Sequence, residues 1–144
     1  MTRVFAATVP PLPPDADYEG YLFTYFLGEG LEHGEQVYFS LSEGNDPLAY
    51  TTLNDGEPVL VSTSGEMGLR DPFIIRSPEG DKFYQIATDL RMWNQSSGSW
   101  DEVQRHGSRN VVVWESTDLV NWSESWVAEV APENAGNAAL RGSW

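Results

Sequence analysis

The sequence predicts an all-β fold made of short antiparallel strands, and three observations predict it. Aromatic and β-branched residues come in strand-length runs separated by Gly, Pro, Asn, Asp and Ser. No window of ten or more residues carries a sustained 3.6-residue apolar period. The order of runs and turns in the first half recurs once in the second, as expected for repeated β-meanders and in particular for two propeller blades.

The elements follow in order. Pro10, Pro11, Pro13 and Pro14, with Asp15 and Asp17, make residues 1–19 an extended, helix-hostile leader. Strand runs are then expected at Tyr21–Leu27, Gln36–Leu41, Glu57–Ser62, Pro72–Arg76, Lys82–Ala87, Asn110–Glu115 and Trp126–Val130. The linker Asp89–Arg109 has no strand-like run and reads as a long irregular loop. In the repeat, Ser42 and Ser116 each follow a second strand, turns with Asp46 and Asp118 come next, and Tyr50 and Trp122 hold matching places before the next strand. Trp114, Trp122 and Trp126 fall on strands or on the repeat's turn, where packing in or between blades is the expected role.

The chain has 144 residues, one domain's worth, and 40% of them are hydrophobic, enough for a core. A net charge of −14 opposes binding to nucleic acid or to an anionic membrane surface, because both need a basic face. No apolar run reaches the roughly 18–20 residues that span a bilayer. The first 18 residues lack the apolar core of a secretion signal, so a cytoplasmic location is expected. With no cysteine, disulfides, thiolate metal sites and a thiol nucleophile are excluded. His33 and His106 lack paired ligands, and Glu43–Asp46 lacks the alternating acidic ligands of a calcium loop, so no metal is expected. Neither a phosphate-cradling glycine loop nor a G-x-S-x-G elbow is present, and no cofactor is expected. A neutral, hydroxyl-rich partner such as a sugar is compatible with all of this.

Arg70–Leu90 reads RDPFIIRSPEGDKFYQIATDL. Asp71-Pro72-Phe73-Ile74, the turn Glu79-Gly80-Asp81, Phe83-Tyr84 and Ala87-Thr88 resemble, in order and spacing, the first blade of glycoside hydrolase family 43. Ser116–Trp122, STDLVNW, looks like that family's S-x-D-L-x-x-W turn, and Pro132–Asn137 like its approach to a further blade. The resemblance spans residues 20–137 and implies antiparallel four-stranded blades of a five-bladed β-propeller, about two of them present. After Asn137 the family's next motif does not follow, so residues 138–144 are expected to be a tail outside the family pattern and the propeller to be truncated.

The resemblance further implies hydrolysis of arabinosides or xylosides with inversion, by a general base and a general acid on opposite faces of the sugar. By family position Asp71 is the base; read without the motif, it is a plain Asp-Pro turn before a strand. The family's acid and its second aspartate align with nothing here, so the chain alone is expected to be inactive. A binding remnant, or a structural one that self-associates through its open flank, is the alternative. Strand geometry returns Thr88, Asp89 and the following loop to the end where Asp71 starts. Arg70, Asp89 and Trp93 are therefore the substrate-contact candidates. Trp93 is either a sugar platform or a plug for its loop, and the loop also brings Asn94, Gln95, Trp100, Asp101, Arg105 and His106. Glu29 and His33 on the loop Gly28–Glu35 are weaker candidates.

Overall fold

The computed structural model describes residues 19–94 and 99–131. Most of the leader, Gln95, Pro132–Asn137 and the tail after it lie outside the described residues. Strands β1 (Leu22–Tyr25), β2 (Tyr38–Ser42) and β3 (Tyr50–Thr52) form one antiparallel meander. Strands β4 (Leu69–Arg76), β5 (Phe83–Asp89), β6 (Asn110–Ser116) and β7 (Trp126–Glu129) form a second, in chain order. Each sheet opens with its edge strand, and β1 and β4 lie against each other. The architecture is all-β: two blade-like sheets, side by side and not closed into a ring.

Alternation decides which faces meet. In the second sheet, pairing puts Ile74 and Gln85 with Trp114, and Ala87 with Val112, on one face. That face meets Val37, Phe39 and Leu60 of the first sheet, and together with Leu69 these residues make the core. The Trp122 indole packs on Phe39 with ring centroids 5.9 Å apart, and Trp114 is buried beside it. Gln85, fully buried, accepts a hydrogen bond from Thr24 Oγ1 of β1 at 3.1 Å, which satisfies a polar group where the sheets touch.

The repeat seen in the sequence has a structural counterpart. Ser42 pairs with Tyr50, and Ser116 bridges to Trp122. In the second turn, Ser116 Oγ accepts from the backbone N–H groups of Asp118 and Leu119. The Asp118 carboxylate accepts from the N–H groups of Val120 and Asn121 and from the Asn121 amide. These bonds lower the Asp118 pKa well below the usual carboxylate range, the Asn121 side chain contributing most.

Three expectations are corrected. The run Glu57–Ser62 is not a full strand: it makes a single bridge, Leu60 to Val37. The N–H groups of Val59 and Leu60 both donate to the Val37 carbonyl, which stops a ladder from propagating, and Pro58 has no N–H to offer. The third strand is instead Tyr50–Thr52, where the sequence suggested only a turn aromatic, so the first sheet has three strands rather than four. The linker Asp89–Arg109 is not wholly irregular either. It contains helix α1, Trp100–His106, capped by Ser99 Oγ accepting from Glu102 N–H at 3.2 Å, with the Asp101–Arg105 pair one turn apart. Trp126 of β7 is exposed on the outer face rather than packed in the core.

Candidate active site

Asp71 stands where β4 departs from regular geometry. The β4–β5 register slips between Arg70 and Phe73, and Asp71 takes a left-handed conformation with φ 52°. A bulge of this kind re-aims a side chain at the end of a sheet, and Asp tolerates the left-handed region better than most residues. The Asp71 side chain is exposed, and among the described residues nothing donates a hydrogen bond to its carboxylate. An exposed carboxylate is thus held on a strand rather than on a loop.

Beside it, Arg70 anchors an interlocked cluster. Its Nη2 donates to Glu29 Oε2 at 2.6 Å and to Glu35 Oε1 at 2.7 Å. Its guanidinium lies over the Trp100 ring, 4.5 Å from the centroid, and 5.4 Å from that of Phe26. Arg70 Nε is buried with no hydrogen-bond partner among the described residues. The Arg70 bond holds the Glu29 carboxyl below its ordinary pKa.

Glu35 is the hub. It is 2% exposed. Its carboxylate takes the Arg70 bond together with bonds from the N–H groups of Met92, at 2.9 and 2.8 Å to its two oxygens, and of Trp93, at 2.8 Å. Its own carbonyl accepts from Leu69 N–H at 2.8 Å. One buried side chain therefore ties the first sheet's loop to the start of β4 and to the chain leaving β5.

Asp89 pairs with Leu69 at this end, as strand geometry predicts, and is 2% exposed. Both its oxygens are engaged: one accepts from Glu66 N–H at 2.7 Å, the other from Ser108 Oγ at 2.6 Å. It closes one side of a cavity of about 110 Å³ lined also by Arg91, Val103 and His106. Trp93 is half-buried with its backbone fixed by Glu35, while Trp100 stacks on Arg70. His33 and His106 are exposed, and the His33 carbonyl accepts from the Tyr38 hydroxyl. No group of three or more metal-ligating side chains assembles among the described residues.

Sequence reasoning missed Glu35, and it named Trp100 as a loop residue while preferring Trp93. Nothing local marks Glu35, since its partners are 35 to 58 positions away along the chain. Trp100 had a signal: Ser99-x-x-Glu102 has the spacing of a helix-capping box, so the indole belongs to a short helix rather than to open loop.

No solved structure matches this chain. An α-L-arabinofuranosidase from Bifidobacterium longum subsp. longum is 39% identical over 125 residues, which is 87% of this chain and 11% of that protein. The chain thus spans about a ninth of that relative's length. A family model described as a probable glycosyl hydrolase domain, related to glycoside hydrolase family 43, matches residues 16–139. With that match over residues 16–139, a 39% identical relative and two antiparallel blade-like sheets, the chain belongs to the family 43-related glycosyl hydrolase domain family.

Proposed function

We propose that this chain supplies the base-bearing part of an inverting glycosidase acting on α-L-arabinofuranosides or β-xylosides of plant polysaccharides, with Asp71 as general base. The observation that carries this reading is the β4 bulge, which presents an exposed carboxylate that is free of partners among the described residues. A base must be ionised and open to a water molecule on one face of the sugar. The similarity to an α-L-arabinofuranosidase favours arabinosides over xylosides. Arg70, Asp89 and Trp93 border the sugar site, Asp89 by fixing the chain around it.

The complementary acid is supplied from elsewhere. Such a group must be free to reach the leaving oxygen, and the carboxyls of the Arg70 cluster and Asp89 are already engaged. Glu29 is bonded to Arg70, which lowers its pKa, while Glu35 and Asp89 are buried acceptors with their oxygens engaged. The chain alone is therefore inactive on this reading. Its uncovered sheet faces support self-association as well.

The test is turnover of an aryl α-L-arabinofuranoside and an aryl β-xyloside. This chain alone should release no aryl alcohol above the buffer rate. A chimera carrying residues 16–139 in place of the matching segment of the Bifidobacterium enzyme should turn over the arabinofuranoside. Asp71→Asn in that chimera should cost about 10²–10⁴-fold, the size of a lost proton-transfer step. A chimera that folds and whose activity survives Asp71→Asn would show the chemistry to be misplaced.

A further inference from the structure

We infer that Trp100 is a sugar-stacking residue of the Asp71 site, and that Glu35, acting through Arg70, is the positioning residue that holds it there. This rests on the proposed glycoside site and adds to it the aromatic surface and its support.

Trp100 is the first residue of α1 and is 42% exposed, although it is a large apolar side chain. It is not loose, because the Arg70 guanidinium is stacked on its ring. A planar cation on one side of an indole fixes the ring's plane and leaves the rest of its surface available. Sugar rings present C–H faces, and an exposed indole with an immobilised plane is a low-entropy partner for such a face. Trp93 is less suited, being half-buried and serving the cluster through its backbone N–H.

Arg70 could hold the indole only if it were itself immobile, and this is the work of Glu35. A buried carboxylate bonded to the Arg70 guanidinium and to two consecutive backbone N–H groups has little freedom left. Glu29 adds a second, exposed bond to the same Nη2. The chain of contact thus runs from Glu35 to Arg70 to Trp100. Its middle member, Arg70, directly precedes Asp71, the proposed base, on β4.

The experiment measures binding of methyl α-L-arabinofuranoside and an arabinotriose to the full chain by calorimetry, with indole N–H shifts followed by NMR. The Trp100 resonance is assigned by its loss in Trp100→Phe. The wild type should bind, with the Trp100 resonance moving most. Trp100→Ala should weaken binding at least tenfold, and Trp100→Phe by less than threefold. Arg70→Lys keeps the charge but not the planar stack, so it should weaken binding severalfold with the circular dichroism unchanged. Glu35→Gln should act in the same direction, with faster hydrogen exchange at Met92 and Trp93. If Trp100→Ala binds as the wild type does, the stacking role is overturned while the proposed site stands. If Arg70→Lys and Glu35→Gln leave affinity unchanged, the positioning role is overturned. If the wild type binds neither sugar, both this inference and a sugar site in this chain fall.

Discussion

Asp71 combines two demands that usually conflict: an irregular backbone and a fixed position. A left-handed residue in mid-strand costs stability for most side chains, about 1–2 kcal/mol, and least for Gly, Asn and Asp. Asn shares Asp's tolerance but cannot act as a base. Asp71→Asn is therefore expected to unfold within about 0.5 kcal/mol of the wild type, whereas Asp71→Val should cost about 1–2 kcal/mol. Urea melts of the three proteins decide this, and equal stability of the Val variant would remove the backbone argument. Glu35 is the opposite case, a buried carboxylate whose partners are all within the protein. Removing it as Glu35→Ala leaves two buried amides without their acceptor and Arg70 with only the exposed Glu29. A loss of about 3–5 kcal/mol is expected, as for a broken buried pair.

Among the elements, the turn from Ser116 to Trp122 shows why a short motif can be so recognisable. Ser116 and Asp118 take up the N–H groups of Asp118, Leu119, Val120 and Asn121, and Leu119 adopts a left-handed φ of 63°. The Trp122 indole then donates to the Leu119 carbonyl at 3.2 Å and packs on Phe39, so the motif links a turn to the core. Because the folded state lowers the Asp118 pKa, its contribution is fully present above the unfolded value, about 3.9, and is lost as pH falls through the folded value. Thermal melts should show Asp118→Asn less stable than wild type at neutral pH, with the gap closing as pH drops below about 4. A gap that stays constant into strong acid would contradict the turn's electrostatics. Gly65 is a second element-level case. Its φ is 63°, and a Cβ there would meet both oxygens of Asp89, so Gly65→Ala should open the connection at Ser108 and lower the melting point.

For the molecule as a whole, the two faces turned away from the core decide behaviour. One carries Phe73, 58% exposed, with Ile75 and Trp126. The other carries Phe23, 54% exposed, stacked on Tyr25 and beside Tyr50 around a groove of about 450 Å³. Among the described residues nothing covers either face. Apolar faces of this kind favour association, while a net charge of −14 opposes it. Salt shortens the range of that repulsion, from about 10 Å at 0.1 M to about 3 Å at 1 M. Sedimentation should therefore show the weight-average mass rising with sodium chloride, and Phe73→Glu should suppress the rise. A monomer at every salt concentration would sink the association reading.

The all-β class, most strands, the sheet order and the Ser-turn-aromatic repeat were legible in the sequence because alternation, turn residues and capping are local chemistry. So was the return of Asp89 to the Asp71 end, since antiparallel pairing dictates it. The choice of Tyr50–Thr52 over Glu57–Ser62 as the third strand was not, because it depends on which donors reach the Val37 carbonyl across the sheet. Nor was the Glu35–Arg70–Trp100 cluster. Its members come from three segments far apart in the chain, and whether a carboxylate is a solvated surface charge or a buried hub is settled only when packing removes its water.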